Sequence, residues 1–320
     1  MTEVYGYADV GMHAMMLVDG VRMRAFGEAI KRTVTKDDVV VDVGAGSGIL
    51  SLLCAKAGAR KVFAVERGAM ASLIVEAAKE NGFADIITVI RDDARTAPLS
   101  EPPTLIVSEM IGSFGVDEDY VGLIGDVKKR CAPGCRVLPS SIDVVLGLAE
   151  IPDIARELAM VDGGFGVKLG ALRGCLLQRP SPVHLDPKTL LTPTIAPTRF
   201  TAGGTRPTSV DGDVTVTRAG NANAIVSWFT SILCDGVTLS SAPEETSTHW
   251  AQIVFPFDPP VAVQPGDVVN LEVRPRLITD RGTYSWRVKS ASEVRYGDAM
   301  QSLVGSKEDM LEQLGITLRP

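Results

Sequence analysis

Apolar runs and helical repeats alternate through the first part of the chain. Short runs of apolar and β-branched residues predict buried strands at 39–43, 61–66, 86–90 and 105–108. Apolar positions at helical spacing predict helices at 8–33, 49–57 and 68–81 and a further helix that ends near residue 131. Strands that alternate with helices in this way are typical of a doubly wound α/β domain with a parallel sheet.

The pattern changes after Pro139. Strand-like runs now follow one another between Gly, Pro, Asp and Asn, which predicts a mostly antiparallel β domain. These runs lie at 144–148, 213–217, 224–233, 250–257, 268–273 and 283–289. A helical insertion at about 151–190 interrupts them, and a short amphipathic helix is predicted at 307–314. We therefore predict an α/β domain over residues 1–139 and a β domain over residues 140–320.

A glycine-rich turn follows the first predicted strand. Gly44, Gly46 and Gly48 give it the spacing G-x-G-x-G. Glycine lets the backbone approach a ligand closely and take angles that a Cβ forbids. A dinucleotide fingerprint requires its third glycine at position 49, which is Ile49 here. The turn instead resembles the first motif of S-adenosylmethionine-dependent methyltransferases, and a nicotinamide oxidoreductase is a distant alternative.

Acidic residues follow the carboxyl ends of the next strands, which is where ligands bind in doubly wound sheets. Glu66 ends the second predicted strand, where a carboxylate can accept hydrogen bonds from both ribose hydroxyls. Asp92 and Asp93 follow the third strand. Either can accept a hydrogen bond from an adenine amino group, and the alternative is that both shape a solvated turn.

Two glutamates, Glu109 and Glu118, follow the fourth strand and lie nine residues apart. Two carboxylates that converge repel each other unless a cation lies between them. A planar guanidinium suits that geometry, because its N–H donors form forks that carboxylates accept pairwise. The alternative is that Glu109 caps a strand and Glu118 complements the dipole of the next helix.

The composition agrees with a globular protein of two ordinary domains. The chain has 320 residues, of which 45% are hydrophobic and 22% charged. The net charge of −7 argues against nucleic acid as the main partner. Five cysteines fit no metal-site spacing and predict a reduced intracellular protein. Without a signal peptide or a long apolar run, we expect a soluble cytoplasmic protein with no membrane contact.

Three segments resemble those of the protein arginine methyltransferase family. Residues 108–118 resemble its double-glutamate loop, residues 248–250 its Thr-His-Trp loop, and residues 13–22 its N-terminal helix. With the glycine turn and Glu66, the resemblance spans nearly the whole chain. It implies a Rossmann-like methyltransferase domain with an N-terminal lid helix, followed by a β-barrel-like domain that carries a helical dimerisation arm.

The resemblance also implies an activity and a role for each motif residue. The activity is arginine N-methylation with S-adenosyl-L-methionine as the methyl donor, and no metal ion is expected. The residues expected to bind the donor are His13, Arg22, Asp42, Gly44, Gly46, Glu66 and Asp93. The residues expected to line the substrate pocket are Tyr7, Met16 and Trp250. The residues expected to be catalytic are Glu109, Glu118, His249 and Asp19.

Within that set, each side chain has a specific expected contact. Arg22 is expected to pair with the donor's carboxylate, and Glu109 and Glu118 to hold the guanidinium. His249 is expected to accept the proton while Asp19 orients it. The alternatives are a hydrogen-bonded surface histidine at His249 and a surface ion pair between Asp19 and Arg22.

Departures from the family pattern concern the substrate entrance. Seven residues precede Ala8, Glu3 replaces the family's first tyrosine, and Tyr120 replaces a residue that is often methionine. We therefore favour free L-arginine or a small guanidino compound of a biosynthetic pathway as the substrate. Arginine in proteins or peptides is the alternative, and a catalytically inactive dimeric binding module is the third candidate.

A homodimer is expected from the helical insertion. Ile151, Ile154, Leu158 and Val161 form an apolar stripe at helical spacing. By resemblance, this arm docks on the methyltransferase domain of a second copy of the chain. The alternative is that the stripe packs on the β domain of its own chain.

Overall fold

The structure is a computed structural model that describes residues 10–164, 166–205, 208–278 and 281–298. Tyr7 and the helix predicted at 307–314 lie outside the described residues. The seven α-helices within these ranges are α1 (Val10–Val18), α2 (Gly20–Thr33), α3 (Ile49–Lys56), α4 (Met70–Glu80), α5 (Tyr120–Lys128), α6 (Pro152–Ala159) and α7 (Gly170–Leu177).

The single N-terminal helix predicted at 8–33 is wrong, because α1 and α2 are separate helices. Asp19 lies between them in an extended conformation, and its carboxylate accepts hydrogen bonds from the backbone N–H groups of Val21 and Arg22. Aspartate favours this N-cap position because its oxygen satisfies N–H groups that have no partner inside the helix. Asp19 therefore starts α2, and α1 is free to take a different direction.

A parallel sheet of five strands forms the first domain, and the strand order is β3-β2-β1-β4-β5. Its strands are β1 (Val39–Val43), β2 (Lys61–Val65), β3 (Ile87–Ile90), β4 (Leu105–Ser108) and β5 (Arg136–Leu138). The predicted α/β domain is confirmed. Every residue of β1 and β4 is buried, which explains why these strands are continuous apolar runs and not alternating ones.

Two antiparallel sheets form the second domain and confirm the predicted β domain. The first sheet has the order β7-β12-β10-β6-β8, with β11 paired to β10, and the second has the order β15-β14-β13-β9. The strands are β6 (Ser141–Ala149), β7 (Ser181–Val183), β8 (Thr198–Thr201), β9 (Val210–Thr215), β10 (Gly220–Cys234), β11 (Val237–Ser240), β12 (Gln252–Val263), β13 (Val268–Ile278), β14 (Arg281–Lys289) and β15 (Val294–Asp298).

Aromatic side chains join these two sheets into one core. The ring centroids of Phe255 on β12 and Trp286 on β14 lie 5.5 Å apart. The Trp286 indole N–H also donates to the backbone oxygen of Pro256 over 2.8 Å, so this buried polar atom is satisfied. The same hydrophobic cluster continues through Ile142 and Phe229 into the parallel-sheet domain. The two domains therefore share a continuous core.

The inserted arm consists of α6, a π-helical turn (Met160–Gly164) and α7. In the predicted stripe, Ile151, Leu158 and Val161 are only 6%, 7% and 7% exposed, and Ile154 packs against the buried cluster of Ile151. The stripe therefore packs within its own chain, and the expectation that it forms the dimer contact is corrected. The exposed apolar side chains of the arm are Met160, Val167, Leu169 and Leu172.

No helix in the described part of the chain is both long and apolar enough to cross a membrane.

Candidate active site

The glycine-rich turn lies at the carboxyl end of β1 in a conformation that needs glycine. Gly44, Gly46 and Gly48 have φ angles of 70°, 52° and 79°, which side chains with a Cβ rarely adopt. The buried His13 ring of α1 lies over this turn, and a Cβ on Gly46 would lie 2.7 Å from His13 Cε1. Helix α1 can therefore cover the turn only because position 46 has no side chain.

Glu66 faces the same turn from the end of β2. Its Oε2 accepts from the backbone N–H of Gly46 over 2.9 Å, and its Oε1 accepts from that of Gly68 over 2.6 Å. Each carboxylate oxygen has two acceptor sites, so these bonds orient the group and leave capacity for hydroxyl donors. The position suits the ribose contact expected from the sequence.

Asp42 is a buried carboxylate on β1, two residues before Gly44. Its Oδ2 accepts from Ser51 Oγ over 2.6 Å, while Oδ1 has no hydrogen-bond partner among the described residues. Burial raises the pKa of Asp42 to about 6, although the Ser51 hydrogen bonds oppose the shift. An oxygen that is buried without a donor is unfavourable unless a ligand supplies one.

Asp93 shapes the turn after β3. Its Oδ1 accepts from the backbone N–H of Arg95 over 2.8 Å, and its backbone oxygen accepts from Thr96 and Ala97. Asp92 in turn accepts from the N–H of Asp93 over 2.7 Å. The turn-forming alternative is therefore realised, and a contact of Asp93 with adenine stays a prediction.

Arg22 and Glu109 form a buried ion pair. Arg22 Nη2 and Nε lie 2.6 and 3.0 Å from Glu109 Oε2, and the two side chains are 6% and 8% exposed. Arg22 Nη1 also donates to the backbone oxygen of Met16 over 3.2 Å. Burial raises the pKa of Glu109 despite the charge of Arg22. The surface-pair alternative does not apply to Arg22, whose partner is Glu109 and whose side chain is buried.

Asp19 and His249 meet although 230 positions separate them. Asp19 Oδ2 lies 2.8 Å from His249 Nδ1 and accepts from the His249 backbone N–H over 2.9 Å. Burial raises the pKa of Asp19, but the bonds from Arg22 and His249 outweigh it and hold the pKa below its ordinary value. An ionised Asp19 can only accept a hydrogen bond here, so it favours the tautomer of His249 with the proton on Nδ1. In that tautomer Nε2 is the nitrogen that can accept a proton.

Glu118 lies half-buried at the end of the double-glutamate loop, residues 109–118. Helix α5 starts at Tyr120, and its N-cap is Asp119, which has a left-handed φ of 62°. Glu118 therefore precedes the helix and is outside its first turn, where charge–dipole effects are largest. This position weakens the helix-dipole alternative.

Trp250 and Met16 border the same region. The Trp250 indole N–H donates to the backbone oxygen of Ile111 in the double-glutamate loop, and its ring centroid lies 3.9 Å from that of His249. Because Trp250 is only 4% exposed, its main contact is with the loop and the histidine. Met16 is half-buried, and its backbone oxygen contacts Arg22.

Comparison with known proteins relates this geometry to a family. The family model described as the arginine methyltransferase oligomerization subdomain matches residues 150–290, and the model described as PRMT5 arginine-N-methyltransferase matches residues 21–129. Protein arginine N-methyltransferase 6 of Danio rerio is 31% identical over an alignment of 290 residues that covers 83% of this chain and 82% of that protein. The chain belongs to the protein arginine methyltransferase family.

Further relatives of this methyltransferase carry names from the same family. Protein arginine N-methyltransferase 1 of Oryza sativa subsp. indica is 29% identical over an alignment of 277 residues that covers 82% of this chain and 71% of that protein. The Trypanosoma brucei PRMT1 enzyme-prozyme heterotetrameric complex with AdoHcy has the same fold, with a TM-score of 0.83 at 23% identity, and the match covers 92% of this chain and 99% of that one. Arabidopsis thaliana protein arginine methyltransferase 10 matches with a TM-score of 0.76 at 22% identity over 92% of this chain and 99% of that one.

Family membership makes the protein an arginine N-methyltransferase that uses S-adenosyl-L-methionine. The residues of the turn fit that donor. Glu66 faces the turn and accepts from the Gly46 N–H, and the buried Asp42 Oδ1 has no donor from the described chain. A cationic donor also suits a site with three nearby carboxylates, those of Asp42, Glu66 and Glu109.

Two further residues of this methyltransferase, one in the double-glutamate loop and one on β14, have no motif signal in the sequence. Asp117 is a buried carboxylate that contacts Tyr284 of β14. The two residues lie 167 positions apart, and neither belongs to a motif with known spacing. The one available signal was Asp117 itself, an acidic residue where the loop is otherwise apolar and small.

Proposed function

We propose that this enzyme transfers methyl groups from S-adenosyl-L-methionine to the guanidino nitrogens of arginine residues in proteins or peptides. The observation that carries the proposal is the buried pair of Arg22 and Glu109, because the loop carboxylate already holds a guanidinium at the ligand-binding edge of the sheet. Glu118, at the other end of the same loop, is the second carboxylate of the proposed substrate site.

The choice of substrate differs from the preference drawn from the sequence. Free L-arginine was favoured because the entrance departs from the family pattern, with Glu3 in place of the family's first tyrosine and a slimmed double-glutamate loop at residues 113–116. The relatives described above are instead named for protein arginine, and the match covers 82% of the Danio rerio protein. The net charge of −7 also suits cationic, arginine-rich segments.

Glu109 and Glu118 are proposed to bind and polarise the substrate. A guanidinium is a weak nucleophile because its lone pairs are delocalised. A carboxylate on one edge draws positive charge to that edge and leaves more electron density on the opposite nitrogen. Bound S-adenosyl-L-methionine supplies an electrophilic methyl group on a positively charged sulfur. Alignment of the guanidinium by the two glutamates then accounts for much of the rate.

His249 is proposed to take the proton that the methylated nitrogen releases. The bond from Nδ1 to the Asp19 carboxylate fixes the tautomer in which Nε2 is the acceptor. The same carboxylate stabilises the imidazolium that forms when Nε2 takes up the proton. Trp250, whose ring packs on His249, holds the histidine against the double-glutamate loop.

The donor contacts are proposed for the residues around the glycine turn. Arg22, whose Nε and Nη2 contact one oxygen of Glu109, is proposed to pair with the donor's carboxylate as well. Glu66 would accept from the ribose, and His13 would cover the turn from α1. Met16 and Tyr7 are proposed for the substrate side, and Asp93 for the adenine.

A homodimer is proposed from the arm. The chain carries the family's oligomerization subdomain. Leu169 and Leu172 on the arm are 49% and 47% exposed, and Leu73 on α4 of the methyltransferase domain is 50% exposed. Apolar groups on both surfaces are complementary, so the arm of one copy is proposed to cover α4 of the other.

A competition experiment tests the substrate. Wild-type enzyme is incubated with labelled donor and equal concentrations of free L-arginine and an Arg-Gly peptide. We expect kcat/KM for the peptide to exceed that for free arginine by at least tenfold. A preference for free arginine would restore the small-molecule alternative, and tight NADH binding without methyl transfer would contradict the cofactor.

A further inference from the structure

The double-glutamate loop packs directly on the β domain. The buried Phe114 ring lies between Phe255 and Tyr284, with centroid distances of 5.9 and 5.4 Å and edge-to-face geometry. Gly115 has a φ of 88°, and a Cβ at this position would lie 3.0 Å from Phe229 Cβ. The tip of the loop therefore contacts strands β10, β12 and β14, and its position depends on them.

Asp117 extends this contact to the residue directly before Glu118. Its Oδ2 accepts from the Tyr284 hydroxyl over 2.8 Å, and its Oδ1 accepts from the backbone N–H of Phe114 over 3.2 Å. A Cβ on Gly112 would lie 2.0 Å from Asp117 Oδ1, so the loop accommodates the carboxylate only with glycine there. Burial raises the pKa of Asp117, while the hydrogen bonds from Tyr284 and Phe114 oppose the shift.

A different contact holds the other side of Glu118. Asp119 has a left-handed backbone, and its Oδ2 lies 3.0 Å from Arg95 Nη2. The side chains of Arg95 and Asp119 are 41% and 25% exposed, so water and salt screen this ion pair. Of the two flanking contacts, the buried one between Asp117 and Tyr284 is the stronger constraint on Glu118.

We propose that Asp117 and Tyr284 are positioning residues for methyl transfer, because their hydrogen bond fixes the backbone before Glu118 and so aims its carboxylate at the substrate guanidinium. This inference rests on the proposed function, in which Glu118 holds the guanidinium. A residue of the β domain would thereby control the geometry of a site built on the parallel sheet. Small displacements of such a group reduce the reaction rate strongly, because transfer requires in-line alignment.

The test compares two variants that each lose one buried hydroxyl. Tyr284→Phe removes the hydroxyl that holds Asp117. Thr192→Val removes a hydroxyl that accepts from the backbone N–H of Leu148 over 2.9 Å in the β domain. We expect Tyr284→Phe to lower kcat by at least tenfold with donor Kd unchanged within twofold. Thr192→Val is expected to keep kcat within twofold of wild type at a thermal stability comparable to that of Tyr284→Phe.

A second pair of variants distinguishes a loss of the Asp117 hydrogen bonds from a loss of folding stability. Asp117→Asn keeps an oxygen for the Phe114 N–H and an amide donor for the Tyr284 oxygen, so it should retain at least a third of kcat. Asp117→Ala loses both bonds and should match Tyr284→Phe, and the double variant Asp117→Ala/Tyr284→Phe should be no slower than either single change.

Two results would overturn the inference while leaving the proposed function intact. One is a Tyr284→Phe enzyme with kcat within twofold of wild type. The other is an equal loss of kcat in Thr192→Val and Tyr284→Phe, which would indicate a general stability effect. Wild-type enzyme that methylates neither peptide nor free arginine would instead contradict the proposed function, and the inference with it.

Discussion

Arg22 and Glu109 form a buried ion pair in which the chain's own guanidinium lies on the carboxylate proposed to bind the substrate guanidinium. The Arg22 Nη2–Glu109 Oε2 distance is 2.6 Å, and the residues come from α2 and from the end of β4. The pair links α2 to the loop that is proposed to hold the substrate. A change in either residue should therefore affect both donor binding and turnover.

Arg22→Ala tests the donor side of this pair. We expect a loss of donor affinity of about 1.5–3 kcal/mol, the usual range for hydrogen bonds to a charged group. The variant also leaves Glu109 buried without its counter-ion, so the free energy of unfolding should fall by roughly 3 kcal/mol. Calorimetric titration and thermal unfolding measure the two effects, with Arg32→Ala as the control because its ion pair with Glu28 is exposed. Unchanged donor affinity in Arg22→Ala would remove Arg22 from the donor site.

Asp19→Asn separates the two roles of Asp19. Asparagine caps helices about as well as aspartate. Its amide nitrogen would face the His249 backbone N–H that Asp19 Oδ2 accepts, so the free energy of unfolding should fall by about 1–3 kcal/mol. The charge that stabilises protonated His249 is lost, and kcat should fall by about 100-fold or more. Asp19→Ala is the comparison, because it loses the cap as well and should also unfold about 1 kcal/mol more easily. Full activity in Asp19→Asn would show that His249 is not the proton acceptor.

Asp42→Asn should weaken donor binding and raise the free energy of unfolding at pH 7. The pKa of Asp42 is about 6 in the folded chain against an ordinary value of 3.8, so the folded state holds the proton more tightly than the unfolded state. Stability should therefore fall as the pH rises from about 4 to 6, and the ionised carboxylate at pH 7 costs about 2–3 kcal/mol. The variant keeps the Ser51 hydrogen bond, so it should unfold less easily at pH 7 and bind the cationic donor more weakly. Denaturant unfolding across pH 4–7 checks this, and a wild-type protein with equal stability at pH 4 and 6 would contradict it.

Leu172→Asp should break the proposed dimer. The side chain is 47% exposed on the arm, so an aspartate there is tolerated in the monomer but is costly in an apolar interface. Val268→Asp is the matched control, since Val268 is 55% exposed at the start of β13 and away from the arm. Light scattering at micromolar concentration should show a dimer for wild type and Val268→Asp and a 34.0 kDa monomer for Leu172→Asp. A monomeric wild-type protein would rule out a stable dimer.

Local patterns were sufficient to predict the order of the domains. Continuous apolar runs predicted β1 and β4, because buried parallel strands have no polar face. The glycine turn and Glu66 were predictable because the ends of adjacent parallel strands meet at one edge. The break at Asp19 was missed, because apolar spacing across 8–33 concealed an aspartate N-cap followed by Gly20.

The remaining errors have one physical origin. Helical periodicity indicates that a face such as that of Ile151 and Leu158 is buried, but it does not indicate whether the covering surface belongs to the same chain. The contacts of Arg22 with Glu109 and of Asp117 with Tyr284 join residues 87 and 167 positions apart. Such long-range contacts depend on the packing of whole domains, and no local spacing specifies them.

The measurement that tests the proposed activity most directly is mass-spectrometric mapping of the methyl group. Wild type, Glu118→Gln and Glu109→Gln are each incubated with labelled donor and an Arg-Gly peptide, and the product is fragmented. The amide keeps the shape of the side chain but places a donor against the donors of the guanidinium. We predict a methyl group on a guanidino nitrogen of the peptide with wild type and less than a tenth of that rate with either variant. A label on any other group, or a Glu118→Gln enzyme with more than a tenth of the wild-type rate, would contradict the proposed function.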